Sequence, residues 1–228
     1  MHKKVIVISL GGSLIIPNEI DVKFLREFKK VIKKNSINYK FVIVCGGGIV
    51  ARKYIHALSQ VKISEKLQNF SGISATRSNA RFMAYFFDQE NQEGIPQRMK
   101  DVEKYLRKQD IVFCGALEYQ PHQTSDGSAT EIASHFNSDF INLTDIQGLY
   151  DKNPKKFKNA KFIPTISRTE FYEMASKLKF KPGQHFVLDQ TAARLIMEKR
   201  IKTYLLGKDL KQLDNFLNHK DFVGTSIY

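Results

Sequence analysis

The stretch Phe41-Val-Ile-Val-Cys45-Gly46-Gly47-Gly48 decides the fold, because it places a short apolar run directly before three glycines. The β-branched run predicts a buried strand, and the segment from Ile49 to Leu58 predicts a helix. Three glycines at such a junction reduce stability, since glycine loses the most backbone entropy on folding. Bare amides at a helix N-terminus attract anions, and Arg52 lies one turn into the helix. We predict a phosphate site here; the alternative is a glycine turn that only permits close packing.

Three further strand ends carry residues suited to binding a nucleotide. Gly11-Gly12-Ser13 follows an apolar run and can cradle phosphate oxygens with its amides, although a tight turn is the alternative. Thr124-Ser125-Asp126-Gly127-Ser128 opens a predicted helix, either to bind phosphate and organise basic side chains or as a plain cap. The segment from Thr144 to Tyr150, with Asn153-Pro-Lys-Lys156 after it, is either an adenine and phosphate contact or a surface hairpin.

Short apolar runs alternate with helical patterns along the whole chain. This alternation predicts an α/β fold, one large domain in which helices cover both faces of a mainly parallel sheet. Ligands bind beyond the carboxyl ends of strands in such sheets, so the four motifs are expected at one edge. Strands are predicted at 4–9, 41–45, 111–114, 140–143, 202–206 and 223–227, and helices at 21–35, 49–58, 76–88, 102–108, 128–136, 167–177, 189–200 and 209–218.

The composition is that of a globular domain with an excess of positive charge. The 228 residues carry 36 Lys and Arg against 23 Asp and Glu, a formal net charge of +13. This charge is spread along the chain, so a solvated basic face is favoured over phosphate steering or nucleic-acid binding. We recognise neither a signal peptide nor a membrane-spanning run, which predicts a cytoplasmic protein with no membrane contact. Cys45 and Cys114 are expected to be buried free thiols, and no dedicated metal site is predicted.

Two glycine turns that bind phosphates, together with a polar strand end, imply two phosphorylated compounds placed end to end. That arrangement suits in-line phosphoryl transfer, in which positioning and charge neutralisation supply most of the catalysis. The sequence contains no Walker P-loop and no dinucleotide-binding glycine pattern after a strand. It also shows no set of nucleophile, base and orienting group for covalent catalysis.

Seven motifs are spread nearly from end to end of the chain: Ser9-Leu-Gly-Gly-Ser-Leu14, Val44-Cys-Gly-Gly-Gly-Ile-Val-Ala-Arg-Lys-Tyr54, Gly72-Ile-Ser-Ala-Thr-Arg-Ser-Asn79, Thr124-Ser-Asp126, Thr144-Asp-Ile-Gln-Gly-Leu-Tyr150, Asn153-Pro-Lys-Lys156 and Val187-Leu-Asp-Gln-Thr-Ala-Ala193. In this order and spacing they resemble the motifs of the amino acid kinase family. The combination of Thr-Arg-Ser-Asn with Leu-Asp-Gln-Thr-Ala is similar to the archaeal-type UMP kinases of that family, and less to its acetylglutamate or carbamate kinases.

The resemblance implies a three-layer α/β/α sandwich that transfers the γ-phosphate of ATP to UMP. It implies magnesium bound mainly to the phosphates, with ATP and UMP as ligands and a homo-oligomer, usually a hexamer, as the assembly. It also implies an acceptor-binding lobe at about 1–120 and an ATP-binding lobe at about 121–228.

The resemblance assigns site residues on both sides of the transfer. For ATP it points to Gly12, Ser13, Gly48, Arg52, Thr144, Tyr150 and Asn153. For UMP it points to Gly47 at the phosphate, Asn69 near the ribose, and a loop around the base and phosphate made of Tyr119, Gln120, Pro121, His122, Gln123, Thr124 and Ser125. The residues expected to act in the chemistry are Arg52, Asp126 and Asp145. Asp145 matches a carboxylate that organises the phosphate-binding lysines of acetylglutamate kinases.

The sequence departs from the family pattern at several of these positions. Ser9 stands where many members have a lysine that neutralises the transferring phosphate, so Arg52 or a lysine from Lys177 to Lys181 is expected in that role. Aspartates are common at three more positions, which are here Asn69, Gln147 and Asn153. The departures leave two alternatives open: a kinase of the family with another small acceptor, and a non-catalytic nucleotide sensor or basic nucleic-acid binder.

Overall fold

The computed structural model of the chain describes residues 3–89, 94–120, 123–177 and 188–228. Within these ranges the strands are β1 (Lys4–Leu10), β2 (Tyr39–Cys45), β3 (Ile111–Cys114), β4 (Asp139–Leu143), β5 (Leu149–Tyr150), β6 (Phe162–Ile163), β7 (Thr165–Ile166), β8 (Thr203–Leu206) and β9 (Thr225–Ile227). The helices are α1 (Gly12–Ile15), α2 (Val22–Asn35), α3 (Gly48–Gln60), α4 (Glu65–Phe86), α5 (Met99–Lys108), α6 (Ser125–His135), α7 (Arg168–Ser176), α8 (Gln190–Glu198) and α9 (Leu210–Leu217).

A mainly parallel sheet forms the centre of the described structure, with strand order β3-β2-β1-β4-β8-β9-β7. The first five strands in this order are parallel to their neighbours, and β9 runs antiparallel to β8. β1 lies in the middle, where Ile8 pairs with Ile43 of β2 and with Ile141 of β4. β5 and β6 form a separate antiparallel hairpin. Because the five strands are parallel, their carboxyl ends meet at one edge of the sheet.

Both faces of the sheet are covered. Val42, Ile43 and Val44 are consecutive and fully buried, although neighbouring side chains of a strand point to opposite faces. α6 packs against β1, β2 and β4, whereas α4 and α5 pack against β2 and β3. Full burial of such an aliphatic side chain stabilises the fold by about 1.5–3 kcal/mol. The predicted three-layer α/β/α sandwich with a mainly parallel sheet is confirmed.

Several helices begin where their capping residues predict. The Asp21 side chain accepts a hydrogen bond from the N of Phe24 at 3.0 Å, and the Asp189 side chain accepts one from the N of Ala192 at 2.7 Å. Ser167 and Glu170 form a capping box at the start of α7, where the sequence predicted a helix. These local bonds satisfy amides that lack a partner inside the helix, which is why the sequence alone locates the helix starts.

The prediction of a helix from 76 to 88 is wrong at its start, since α4 begins at Glu65, eleven residues earlier. Gly72 and the serines around it have low intrinsic helix propensity and hide the helical pattern. Packing against α3 overrides this preference, and the Ser71 and Ser74 hydroxyls donate to the carbonyls of Gln68 and Phe70. As a consequence, the Gly72 to Asn79 motif lies inside a helix.

The described residues contain no helix that is both long and apolar enough to cross a membrane. Cys45 and Cys114 are buried free thiols, as predicted. Burial raises the pKa of Cys114 to about 12, and burial together with the neighbouring Cys114 raises the pKa of Cys45 well above its usual value. Both thiols are therefore protonated at neutral pH and lack the thiolate form that reacts.

Candidate functional site

The four predicted motifs follow the carboxyl ends of neighbouring parallel strands. The segment after β3 begins at Gly115, the three glycines follow β2, Gly11 follows β1, and Thr144 follows β4. Neighbouring strands lie about 4.8 Å apart, so three strand spacings separate the outer segments by about 14 Å. The two glycine turns therefore stand between a segment on the β3 side and a polar segment on the β4 side.

The two glycine turns touch each other through their backbones. A β-carbon on Gly12 would lie 2.1 Å from the N of Gly48 and 2.7 Å from the O of Gly46. A β-carbon on Gly46 would lie 2.6 Å from the N of Gly12. Gly48 has a φ of +60°, a left-handed conformation that favours glycine. The glycines permit close packing, as the alternative interpretation required, and the same contact brings the bare amides of the two turns together.

Gly47 and Arg52 extend this contact into α3. Gly47 is the N-cap of α3, and the half-buried Arg52 lies at the end of the first helical turn. Within the described part of the chain, the Arg52 side chain makes no hydrogen bond or ion pair with protein, so its guanidinium is free to meet an anion. Ser13, in α1, is half-buried beside the same turn. The arrangement of helix N-terminus, glycine amides and arginine suits phosphate groups.

The segment after β3 lies against α4. The rings of Tyr119 and Phe70 have centroids 5.0 Å apart, and the half-buried Asn69 precedes Phe70 in α4. The Gln120 side chain donates to Glu131 of α6 at 3.1 Å, and Gln123 packs against Gly127. Pro121 and His122, which sequence reasoning placed in the same loop, lie outside the described residues.

A network of hydroxyl and carboxyl groups connects α6, α8 and β1. The Thr124 hydroxyl donates to Asp189 Oδ2 at 2.5 Å, and its oxygen accepts from the N of Asp126 at 3.2 Å. The buried Ser9 hydroxyl donates to Asp126 Oδ1 at 2.7 Å.

Burial and the nearby Asp189 carboxylate raise the pKa of Asp126 to about 7, against the lowering effect of the Ser9 hydrogen bond. Thr124 is thus the N-cap of α6, which is the plain-cap alternative of the sequence analysis, and it also donates a hydrogen bond to Asp189. Ser125 is the first residue of α6.

Ser9 is the residue that departs most clearly from the family pattern, and its surroundings show what the change does to the site. A lysine at this position would bring a positive charge near the Asp126 carboxyl group, whereas Ser9 supplies only a hydrogen bond. The Asp126 and Asp189 carboxyl groups therefore lack a neutralising cation among the described contacts. Of the lysines expected to compensate, Lys177 is exposed at the end of α7, and the others of that group lie outside the described residues.

The segment after β4 forms the predicted turn and hairpin. The exposed Asp145 pairs with the ammonium of Lys155, and the Thr144 hydroxyl lies 3.4 Å from Asp145 Oδ1. Asn153 Oδ1 accepts from the N of Lys155 at 2.9 Å and so shapes the turn that carries this lysine. The Tyr150 ring packs edge-on against Phe162 of the paired strand, with centroids 5.5 Å apart.

Two contacts within the candidate site were not predicted from the sequence. Lys155 lies in a segment expected to contact phosphate, but its pairing with Asp145 was not predicted, and the hydrogen bond from Thr124 to Asp189 was not predicted either. The signal for Lys155 was the Asn-Pro-Lys-Lys turn, because such a turn can fold a lysine back onto the preceding strand end. Asp189 was recognised only as a helix start, and its second contact spans 65 residues.

Comparison with known proteins identifies the family to which the chain belongs. The sequence model described as "Amino acid kinase family" matches residues 4–207. The chain is 33% identical to a uridylate kinase of Thermoplasma volcanium over 97% of this chain and 96% of the relative. It is 32% identical to a uridylate kinase of Thermococcus sibiricus over 90% of each chain. The structure resembles that of the uridylate kinase from Archaeoglobus fulgidus with a TM-score of 0.82, at 29% identity over 98% of this chain and 99% of the other. The chain belongs to the amino acid kinase family.

Proposed function

We propose that this chain is a uridylate kinase that transfers the γ-phosphate of ATP to UMP and yields ADP and UDP. The observation that carries the proposal is the backbone contact between the two glycine turns, located between the Tyr119 segment and the Asp145 hairpin. Relatives named uridylate kinase match along nearly the whole chain, which favours UMP over another small acceptor.

The proposed mechanism is positioning and charge neutralisation. A UMP phosphate oxygen attacks the γ-phosphorus of ATP in line, the bond to the β-phosphate oxygen breaks, and ADP leaves. UMP is assigned to Gly47, Asn69 and the loop Tyr119, Gln120, Pro121, His122, Gln123, Thr124 and Ser125. ATP is assigned to Gly12, Ser13, Gly48, Arg52, Thr144, Tyr150 and Asn153. The amides of the glycine turns and the Arg52 guanidinium would stabilise the charge that develops on the transferred group.

Lys155 and the carboxyl groups have distinct roles in this proposal. Asp145 orients the ammonium of Lys155 toward the ATP phosphates, which gives the site a cation that Ser9 does not provide. Asp126 fixes the end of β1 through Ser9. Among the described residues no group of three or more ligating side chains could hold a metal ion by itself, so magnesium would be bound mainly by the ATP phosphates and water. When bound, it neutralises phosphate charge.

We also propose a homo-oligomer, with a hexamer as the expected form. Five large apolar side chains of α3, α4 and the turn between them are exposed: Tyr54, Val61, Leu67, Phe70 and Tyr85. Exposed apolar side chains on neighbouring elements are typical of surfaces that bind protein. Light scattering after size-exclusion chromatography measures the mass, and a monomeric mass would contradict this part of the proposal. The two lobes and the cytoplasmic location stay predictions.

A substrate panel tests the function. Purified protein is mixed with Mg-ATP and, separately, with UMP, CMP, dTMP, AMP and GMP, and ADP release is followed. We expect UMP to give the highest kcat/KM. Turnover confined to a different acceptor would move the function within the family, and ATP binding without turnover on any acceptor would contradict a kinase.

A further inference from the structure

One turn of α4, from Thr76 to Asn79, contacts the exits of two strands. Asn79 is buried with 5% of its surface exposed, and its Nδ2 donates to the carbonyl O of Gly46 at 2.7 Å. The N of Gly46 donates to the O of Leu10 at 2.9 Å. The first residue of the three-glycine turn is therefore bonded to β1 through its N–H and to α4 through its carbonyl, which belongs to the Gly46–Gly47 peptide.

The orientation of this peptide matters for both glycine turns. The O of Gly46 lies 2.7 Å from the point where a β-carbon of Gly12 would be, so the Asn79 bond fixes this carbonyl against the other turn. If the carbonyl lost its donor, the buried oxygen would have to turn toward another partner, because an unsatisfied buried acceptor is costly. That rotation would redirect the amides of Gly47 and Gly48.

The other two side chains of the same turn bind the segment after β3. The Thr76 hydroxyl donates to the O of Ile73 at 2.7 Å and accepts from the N of Ala116 at 2.9 Å. Arg77 Nε donates to the O of Ala116 at 3.2 Å, and its Nη2 donates to the O of Leu117 at 2.7 Å. Its Nη1 donates to Gln97 at 3.0 Å. The fork of a guanidinium can satisfy these three acceptors at once, whereas a lysine ammonium cannot match that planar geometry.

We propose that Thr76, Arg77 and Asn79 are positioning residues that align the acceptor segment with the phosphate-binding glycine turn. This inference rests on the proposed function of those turns. Arg77 acts through Ala116 and Leu117, two residues before Tyr119, and so affects the acceptor alone. Asn79 acts through Gly46, which precedes residues assigned to both substrates, and so affects both.

Arg77→Lys tests the acceptor branch. We expect the Kd and KM of the acceptor to rise about ten-fold, because a displacement near 1 Å is enough to cost this much, while the KM of ATP stays within about two-fold. Hydrogen exchange at the amides of Ala116 and Leu117 should also accelerate. The matched control is Arg81→Lys, one turn further along α4, whose exposed side chain contacts only the Tyr85 hydroxyl at 3.4 Å in the described structure.

Asn79→Asp tests the shared branch, since it keeps the shape of the side chain and removes the Nδ2 donor. We expect KM to rise for both substrates and kcat to fall about ten-fold or more, whereas Ser78→Ala, at the exposed neighbouring position, should change neither. Asn79→Gln is the rescue variant, because it restores a donor. Equal effects of Arg77→Lys on ATP and acceptor, or unchanged constants for Asn79→Asp, would overturn the proposal.

A failure of the positioning proposal can be distinguished from a failure of the proposed function. Wild-type turnover and binding of UMP test the function by itself. If the wild type does not use UMP, the function fails, and the exchange rates at Ala116 and Leu117 and the affinity for an ATP analogue still decide the positioning roles. If a variant is destabilised, its unfolding midpoint is compared with that of its control. Faster exchange confined to 115–117 supports positioning, and exchange accelerated uniformly over the chain contradicts it.

Discussion

The two sides of the proposed site are built with different kinds of bonds. On the β3 side, Thr76 accepts and Asn79 donates buried hydrogen bonds to backbone groups, and Arg77 donates partly buried ones. On the β4 side, an ion pair between the exposed Asp145 and Lys155 carries the charge. Buried bonds specify geometry because water does not compete for them, whereas exposed charges are screened by salt. The β3 side is thus suited to alignment and the β4 side to charge neutralisation.

Gly12→Ala breaks the contact between the two glycine turns, which lie between the two sides, and should have the largest effect. The added methyl group would overlap the N of Gly48, so we expect about 3 kcal/mol of lost stability and a loss of kcat/KM of about 100-fold or more. Chemical denaturation and steady-state kinetics measure both quantities. Gly94→Ala is the control, because a β-carbon there meets nothing within 4 Å in the described structure. A Gly12→Ala enzyme with normal kinetics would mean that the turns are not part of the site.

Asp126→Asn should change how stability depends on pH. The pKa of Asp126 is raised from 3.8 to about 7 in the folded protein, so the folded state binds the proton more tightly than the unfolded chain does. The contribution of Asp126 to the free energy of unfolding is therefore fully present at low pH, and it is lost as the pH rises from about 4 through 7. A shift of this size corresponds to at most about 4 kcal/mol over the whole pH range, and the part that falls above pH 5 is about 2 kcal/mol.

Denaturation at pH 5 and pH 8 measures this difference. We expect the wild type to lose stability between the two values and Asp126→Asn to lose about 2 kcal/mol less. Asp221→Asn, at an exposed position, is the control and should leave the pH dependence of stability unchanged. Identical pH profiles for Asp126→Asn and the wild type would show that Asp126 is ionised normally.

Lys155→Ala tests the charged side of the comparison. Removing an exposed cation that is oriented by Asp145 should raise the KM of ATP about five-fold, which corresponds to about 1 kcal/mol. The effect should shrink at about 0.5 M salt because the ions screen exposed charges. Lys156→Ala, at the exposed neighbouring position, is the matched control. A five-fold rise for both variants would point to general attraction by the basic surface, not to a defined contact.

Lys30→Ala should have the smallest effect and sets the background for the other changes. Lys30 pairs with Glu27 at 2.7 Å on α2, and both side chains are more than half exposed. Such a pair contributes less than about 0.5 kcal/mol. Thermal unfolding and the KM of both substrates should stay near the wild-type values. A larger loss would show that the surface charges of α2 contribute more than isolated helix pairs usually do.

The sequence predicted the local features of the fold and missed the distant contacts of the site. β2 and the starts of α7 and α8 depend on neighbouring residues, and all three lie within two residues of the predicted positions. The start of α4 was missed because packing outweighs the low helix propensity around Gly72. β5, β6 and β7 are two residues each, too short to show a period.

The contact between Ser9 and Asp126 spans 117 residues in the chain. No local pattern connects two such positions, so only the packing of α6 against β1 reveals that they meet. The hydrogen bond from Asn79 to Gly46 was missed for the same reason, since the two residues are 33 positions apart in the chain. The motif that contains Asn79 was recognised only by its resemblance to the family. Local propensity identified the elements, and tertiary packing determined which polar side chains share the site.

The contact of Gly12 with Gly46 and Gly48 also limits how this protein can evolve. A side chain at any one of the three positions collides with backbone of the other turn, so a compensating change cannot come from shortening a neighbouring side chain. The three positions therefore offer no single mutational step toward a different turn. New acceptor specificity would have to arise in the surrounding segments, while the turns themselves remain as an inherited constraint.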